Sequence, residues 1–257
     1  MKFSKLFDLT GKTAIVTGGG NGIGKASCKM LAEFGASVIV SDYNLDAAKE
    51  VVKEIENEAG NAIAVECDVT KDEGLVNLVE KSLEAYGNIH VLVNNVGGGG
   101  AGREDPSQIG VSQFAKVFEM NVFSMWRLCQ LVAPHMQNAG YGSIINMSSM
   151  ASINTSPAIS AYASSKAAIN HMTRNLAFDF GPIIRINAIG PGAIRTHALE
   201  TVLNPDIEKK MLAHTPLGRL GEVEDIAGAV LYFAAPISNW VSGQVLFVNG
   251  GGVQTLD

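Results

Sequence analysis

Tyr162-Ala163-Ser164-Ser165-Lys166 sets a phenol and an ammonium four positions apart, on one face if the segment is helical. A phenol is a poor base near neutral pH unless a cation stabilises its phenolate, and Lys166 has the spacing to do so. Ser149 stands thirteen residues before Tyr162, just past the run Ile144-Ile145-Asn146-Met147. Its hydroxyl can donate to the oxygen of an alcohol or carbonyl. Ser148 competes for that role, and only the spacing to Tyr162 favours its neighbour. A base, a cation and an oxygen-holding hydroxyl suit proton transfer at a secondary alcohol or ketone.

A second group of residues suits a phosphate-bearing ligand. Thr17-Gly18-Gly19-Gly20-Asn21-Gly22-Ile23-Gly24 lies between a strand-like and a helix-like run. Glycines there let backbone N–H groups approach a pyrophosphate, and the helix N-terminus adds its positive end. The cluster fits T-G-x-x-x-G-x-G rather than the strict G-x-G-x-x-G spacing. Gly18, Asn21, Gly22, Ile23 and Gly24 are therefore the expected cofactor contacts. Asp42 follows Gly18 by 24 residues, where a dinucleotide fold places a carboxylate on the adenosine ribose hydroxyls. A carboxylate repels a 2′-phosphate, no Arg or Lys lies within 18–24, and Tyr43 comes next. NAD is expected rather than NADP.

These residues need a frame. Strand-like runs at Thr13 to Thr17, Ser37 to Ser41, Ala62 to Glu66 and Val91 to Asn94 alternate with helical spacing over Asn21 to Phe34, Leu45 to Glu58 and Asp72 to Tyr86. A long helix near Gln113 to Met136 follows, then a strand at Ser143 to Met147, a helix over Ala161 to Phe180 and a strand around Ile184 to Ala188. A last helix, Val223 to Ala234, precedes a strand at Gln244 to Val248. Repeated βα units predict a single α/β domain spanning 1–257: a doubly wound parallel sheet of the Rossmann type, about seven strands, helices on both faces. Asp68 and Val69 then fall at the carboxyl end of the third strand, on the adenine side. Asn95, Val96 and Gly97 fall at the end of the fourth, continued by Gly98, Gly99 and Gly100. The irregular stretch from Gly190 to Leu220, with a short helical patch at Asp206 to Ala213, is long for a connector and suits a substrate lid. Ala198, Leu199, Val202, Leu203, Ile207 and Met211 are its apolar residues.

Taken in order, Thr17 to Gly24, Asn94 to Gly97, Asn121, Ser149, the Tyr162/Lys166 pair and Pro191-Gly192 resemble the motif series of the short-chain dehydrogenases/reductases, over nearly the whole chain. Val96 departs from the alanine usual at its position. The resemblance implies reversible hydride transfer between NAD and a secondary alcohol, with Tyr162 as base, Ser149 holding the oxygen and Lys166, together with the positive nicotinamide, lowering the Tyr162 pKa. It also implies that Lys166 bonds the nicotinamide ribose and that Asn121 supports a water-mediated relay to it. Pro191, Gly192, Ile194 and Thr196 would hold the carboxamide. Gly99, Ala198 and Leu199 would touch the substrate beside Ser149 and Tyr162. Segments such as Asn121-Val122-Phe123-Ser124, Ile207 to Pro216 and Gly250 to Leu256 are similar to the hydroxysteroid-oxidising branch, implying a bile acid or steroid substrate at its 7α-hydroxyl. A homotetramer is the implied assembly, and the helix from Phe118 to Met136 is apolar on more than one stripe, as a subunit interface requires.

Composition excludes several partners. Of 257 residues, 47% are hydrophobic and 17% charged, and the net charge of −6 offers no footprint for nucleic acid or an anionic membrane. Cys28, Cys67 and Cys129 are widely spaced and lack metal-site or disulfide patterning, so no metal is expected. With no signal-like or membrane-spanning run, a soluble cytoplasmic protein is expected. Two other functions stay open on sequence: a short-chain reductase for a 3-oxoacyl thioester, sugar or small diol, and a noncatalytic NAD-binding regulator.

Overall fold

The computed structural model describes residues 3–99, 105–200 and 203–252, and of His197 and Ala198 the backbone alone. Runs rich in Val, Ile and Ala form β1 (Thr13–Thr17), β2 (Ser37–Asp42), β3 (Asn61–Glu66), β4 (Val91–Asn94), β5 (Gly142–Met147), β6 (Ile184–Pro191) and β7 (Val245–Val248). They make one parallel sheet in the order β3-β2-β1-β4-β5-β6-β7. Every residue of β1, β4 and β5 is buried, which explains why these strands read as unbroken apolar runs rather than alternating ones.

The crossovers are α1 (Gly22–Glu33), α2 (Leu45–Asn57), α3 (Asp72–Tyr86), α4 (Val111–Phe118), α5 (Ser124–Ala139) and α6 (Ser160–Asp179). After β6 come α7 (His197–Glu200), α8 (Pro205–Ala213) and α9 (Val223–Ala234). One apolar cluster, including Leu31, Val40, Val230 and Phe233, fills the α1/α9 face; another, including Leu78, Leu128, Ile144 and Ile169, fills the α3/α5/α6 face. This is the single-domain, doubly wound α/β architecture the alternating pattern predicts. The order reverses between β1 and β4, so the loops after these two strands open a crevice at their carboxyl ends.

Polar side chains lock that crevice. The Thr17 hydroxyl accepts the N–H groups of Asn95 and Val96 at 3.0 and 3.2 Å. The Asn95 amide donates back to the carbonyls of Thr17 and Gly18 at 2.9 and 3.2 Å. Deeper in, the Asn94 amide donates to Asn146 at 2.9 Å and the Asn146 amide to Thr173 at 3.0 Å, tying β4, β5 and α6 together.

Two departures from the sequence reading bear on the site. The helix expected over Gln113 to Met136 is α4 and α5 joined by a π-helical turn, Glu119–Phe123, that carries Asn121. β6 runs past Ala188 to Pro191 because β7 pairs with it as far as Val248. Just past β5, as its place in the sequence predicts, Ser149 caps a short 3-10 turn, Met150–Ser152, its hydroxyl accepting the Ala151 N–H at 3.1 Å. The two ends of the stretch after β6 are stapled together: Gly221 donates to Ala193 at 2.9 Å and Arg195 to Gly221 at 2.7 Å.

Candidate active site

A cleft of about 550 Å³ lies over the carboxyl ends of β1, β4, β5 and β6. It gathers Asn21, Gly22 and Ile23 from the glycine loop, Asn95 and Gly97 after β4, and Ser149, Tyr162 and Lys166. Pro191, Gly192, Ile194, Thr196 and Leu199 close it from the β6 side, with Met211 of α8. Residues separated by up to 190 positions thus meet where the strand order reverses.

On α6, Tyr162 and Lys166 share a face, as their spacing predicts. Lys166 is buried, donates to the Met147 carbonyl at 2.8 Å and lies 5.7 Å from the centre of the Tyr162 ring. Burial pushes its pKa down to about 8. The Tyr162 phenol is pushed up by burial, and the Ser149 hydroxyl beside it pulls the other way. With the Lys166 ammonium held near the ring by the Met147 carbonyl, desolvation of the phenol outweighs the help from Ser149. Ser148 turns away, its hydroxyl donating to the Lys166 carbonyl at 3.3 Å, so geometry leaves Ser149 as the hydroxyl facing the phenol.

Asn121 reaches the same spot from the π turn. Its side-chain oxygen accepts the Gly98 N–H at 2.9 Å, and its amide donates to the Gly98 carbonyl at 3.0 Å and to the Ser165 hydroxyl at 2.8 Å. The Asn121 amide is therefore engaged on Gly98 and Ser165. It clamps the glycine run after β4 onto α6. A Cβ on Gly97 would meet the Lys166 ammonium at 2.7 Å and the Asn121 oxygen at 3.0 Å, so only glycine lets this backbone pass. A Cβ on Gly99 would sit 3.8 Å from the Tyr162 ring.

The residues present fit a dinucleotide. A Cβ on Gly24 would run into the Gly18 carbonyl, and one on Gly20 would meet Asp42 at 2.9 Å, while Gly22 adopts φ +52°. Asn21, which precedes α1, makes no side-chain cap, so the first N–H groups of that helix are not spent on it. Asp42 ends β2 with its carboxylate against the loop, accepting Gly20 N–H at 2.9 Å. Gly18, Gly24, Asp42, Tyr43, Asp68, Val69 and Val96 frame the loop ends without lining the cleft. Val69 is a core residue, Asp68 caps its own turn by accepting from Thr70, and Tyr43 is 79% exposed.

Of the lid residues, Leu199 and Met211 reach the cleft. The side chain of Ala198, all of Val202 and Gly100 lie outside the described residues. Sequence reasoning missed the Met147 carbonyl, since a main-chain acceptor leaves no residue-type signal, and it missed the contact of Ser165 with Asn121. Among the described residues no group of three or more His, Cys, Asp or Glu could hold a metal, and no helix is long and apolar enough to cross a membrane.

A glycine-cradled crevice at the switch point of a parallel sheet, opening on a phenol, an ammonium and a hydroxyl, defines a dinucleotide-binding α/β oxidoreductase. The family model described as enoyl-(acyl carrier protein) reductase matches residues 18–252. The chain is 49% identical to the 7α-hydroxysteroid dehydrogenase of Escherichia coli (strain K12) over 250 residues, covering 97% of each. It is 38% identical to that of Clostridium sardiniense over 245 residues, covering 95% of this chain and 94% of the other. A solved 7α-hydroxysteroid dehydrogenase, complexed with NADH and 7-oxo glycochenodeoxycholic acid, superposes with a TM-score of 0.96 at 48% identity, over 100% of both chains. The chain belongs to the short-chain dehydrogenase/reductase family.

Proposed function

We propose that this protein is an NAD-dependent 7α-hydroxysteroid dehydrogenase, interconverting the 7α-hydroxyl and 7-ketone of bile acids. The observation that carries the reading is the convergence of Ser149, Tyr162 and Lys166 with the glycine loop on one cleft. The likeness to enzymes of that specificity supports the choice of substrate.

Gly18 to Gly24 and the N-terminus of α1 would hold the pyrophosphate of NAD, Asp42 the adenosine ribose, and Pro191, Gly192, Ile194 and Thr196 the carboxamide end. Lys166, beside Gly97, would reach the nearer ribose. Asp68 and Val69 would lie on the adenine side, and Asn95 and Val96 would meet the cofactor after β4. Bound there, NAD would supply the acceptor for a hydride from the carbinol carbon. Ser149 orients the substrate oxygen by donating its hydroxyl proton, and Tyr162 as phenolate removes the proton from the alcohol. In the reverse direction Tyr162 returns that proton to the ketone oxygen. The 190–220 stretch serves as lid, Leu199 and Met211 meeting an apolar steroid nucleus together with Ala198 and Gly99.

A reductase for acyl-carrier thioesters would favour NADP and a basic patch beside the site, which Asp42 and the net charge of −6 oppose. A noncatalytic regulator would not retain the phenol, ammonium and hydroxyl together. A homotetramer fits Phe123 and Trp126, which leave 55% and 42% of their surface exposed on the α4/α5 side. Three buried free cysteines suit a reducing cytoplasm. The test is NAD reduction followed at 340 nm with bile acids differing at the 3, 7 and 12 hydroxyls, repeated with NADP. Activity confined to 7α-hydroxy acids with NAD is expected; activity only on other alcohols overturns the specificity.

A further inference from the structure

One face of α6 carries a third polar residue that the chemistry above does not use. Asn170 lies one helical step of four beyond Lys166 and two beyond Tyr162, and only 6% of it is exposed. Its amide donates to the Ser152 hydroxyl at 2.7 Å. That hydroxyl donates in turn to the Ser149 carbonyl at 2.6 Å. The Ser152 N–H closes the same turn on the Ser149 carbonyl at 3.0 Å. The Asn170 side-chain oxygen is buried without a partner. Leaving an acceptor orphaned is a cost of about 1–3 kcal/mol that an apolar residue there would avoid. What the fold obtains in exchange is the donor to Ser152.

Resting on the reading of Ser149 and Tyr162 given above, we infer that Asn170 and Ser152 are positioning residues that fix Ser149 against the phenol of Tyr162. Ser149 and Tyr162 come from different elements, the 3-10 turn after β5 and helix α6. Their relative placement is not set by either element alone. The chain Asn170 to Ser152 to the Ser149 carbonyl is a rigid link between the two, because each group is both held and buried or half-buried. With Ser149 so placed, its hydroxyl proton favours the phenolate of Tyr162 in the free enzyme and is on hand for the substrate oxygen once that binds. Catalytic groups loosened by even a small displacement lose rate without losing binding of the cofactor.

The experiment compares S152A, N170A, the double variant, S152T and Y162F, using a 7α-hydroxy bile acid and NAD. S152A and N170A are expected to lower kcat about tenfold while the Kd for NADH, read by fluorescence, stays within about twofold. The rising limb of kcat/KM for oxidation moves to higher pH in both, since the help that Ser149 gives the phenolate is weakened. One link broken twice costs no more than once, so the double variant matches the worse single one. S152T keeps the hydroxyl and restores the parent profile. Parent-like kcat and an unmoved limb in S152A, or multiplied losses in the double variant, overturn the inference. S152A, at a half-buried serine, carries the test if N170A does not fold. Y162F separates the two readings: inactive Y162F beside parent-like S152A and N170A rejects the link alone, whereas active Y162F rejects the assignment of the base.

Discussion

The Asp42 carboxylate accepts the backbone N–H of Gly20 at 2.9 Å, with its other oxygen accepting the N–H of Asn44 at 2.9 Å. The residue that would select the cofactor is thus also part of the loop that would cradle it. Replacing it with alanine removes two charge-assisted hydrogen bonds and the repulsion of a 2′-phosphate at once. In D42A the Kd for NADH should rise by about tenfold or more. The Kd for NADPH should rise less, so that the preference narrows. Fluorescence titration with both nucleotides measures this. Equal weakening of the two would assign Asp42 a purely structural part.

Gly97 offers a different lever. A methyl group there would stand 2.7 Å from the Lys166 ammonium. A lysine end is usually free to swing aside, but this one is buried and held by the Met147 carbonyl. G97A should therefore displace the ammonium, lower kcat by about tenfold or more and lower the melting temperature as well. At Gly98 a Cβ would meet only the Met120 sulfur at 3.6 Å, an ordinary contact, so G98A should cost less. Equal losses in the two variants, in steady-state kinetics, would contradict this account.

Local signals made most of this legible. Helix α3 and strands β1 and β4 begin and end where the residue pattern places them, because Asp72, Gly87 and the β-branched runs act on their own neighbours. The fit of Tyr162 with Lys166 follows from helix geometry alone. What stayed hidden depends on partners far along the chain. The π turn at Asn121 exists alongside its bonds to Gly98 and Ser165, which no periodicity within 113–136 encodes. The choice between Ser148 and Ser149 is made by the bend after β5, which turns one hydroxyl toward α6 backbone and the other toward Tyr162. The Asn170–Ser152 link joins two segments whose residue types are individually unremarkable.

Lys166 allows a test of what the site costs the fold. Its pKa falls from the ordinary lysine value of 10.5 to about 8 because the ammonium is desolvated. The folded state therefore disfavours the charged form, and at pH 7 the chain carries that penalty in full, ~3 kcal/mol from the size of the shift. Between about pH 8 and 10.5 the unfolded chain still binds this proton while the folded chain has lost it, so stability gained from this group rises with pH across that window. K166M removes the charge and also the hydrogen bond to Met147, worth about 1 kcal/mol. At pH 7 it should be more stable than the parent by ~2 kcal/mol while losing turnover, and the difference should shrink steadily above pH 8. Urea unfolding of both proteins at pH 7, 8.5 and 10 reads the effect directly. A K166M protein less stable than the parent at pH 7, or a gap that widens with pH, would show that the buried ammonium is compensated by the fold rather than tolerated for its chemistry.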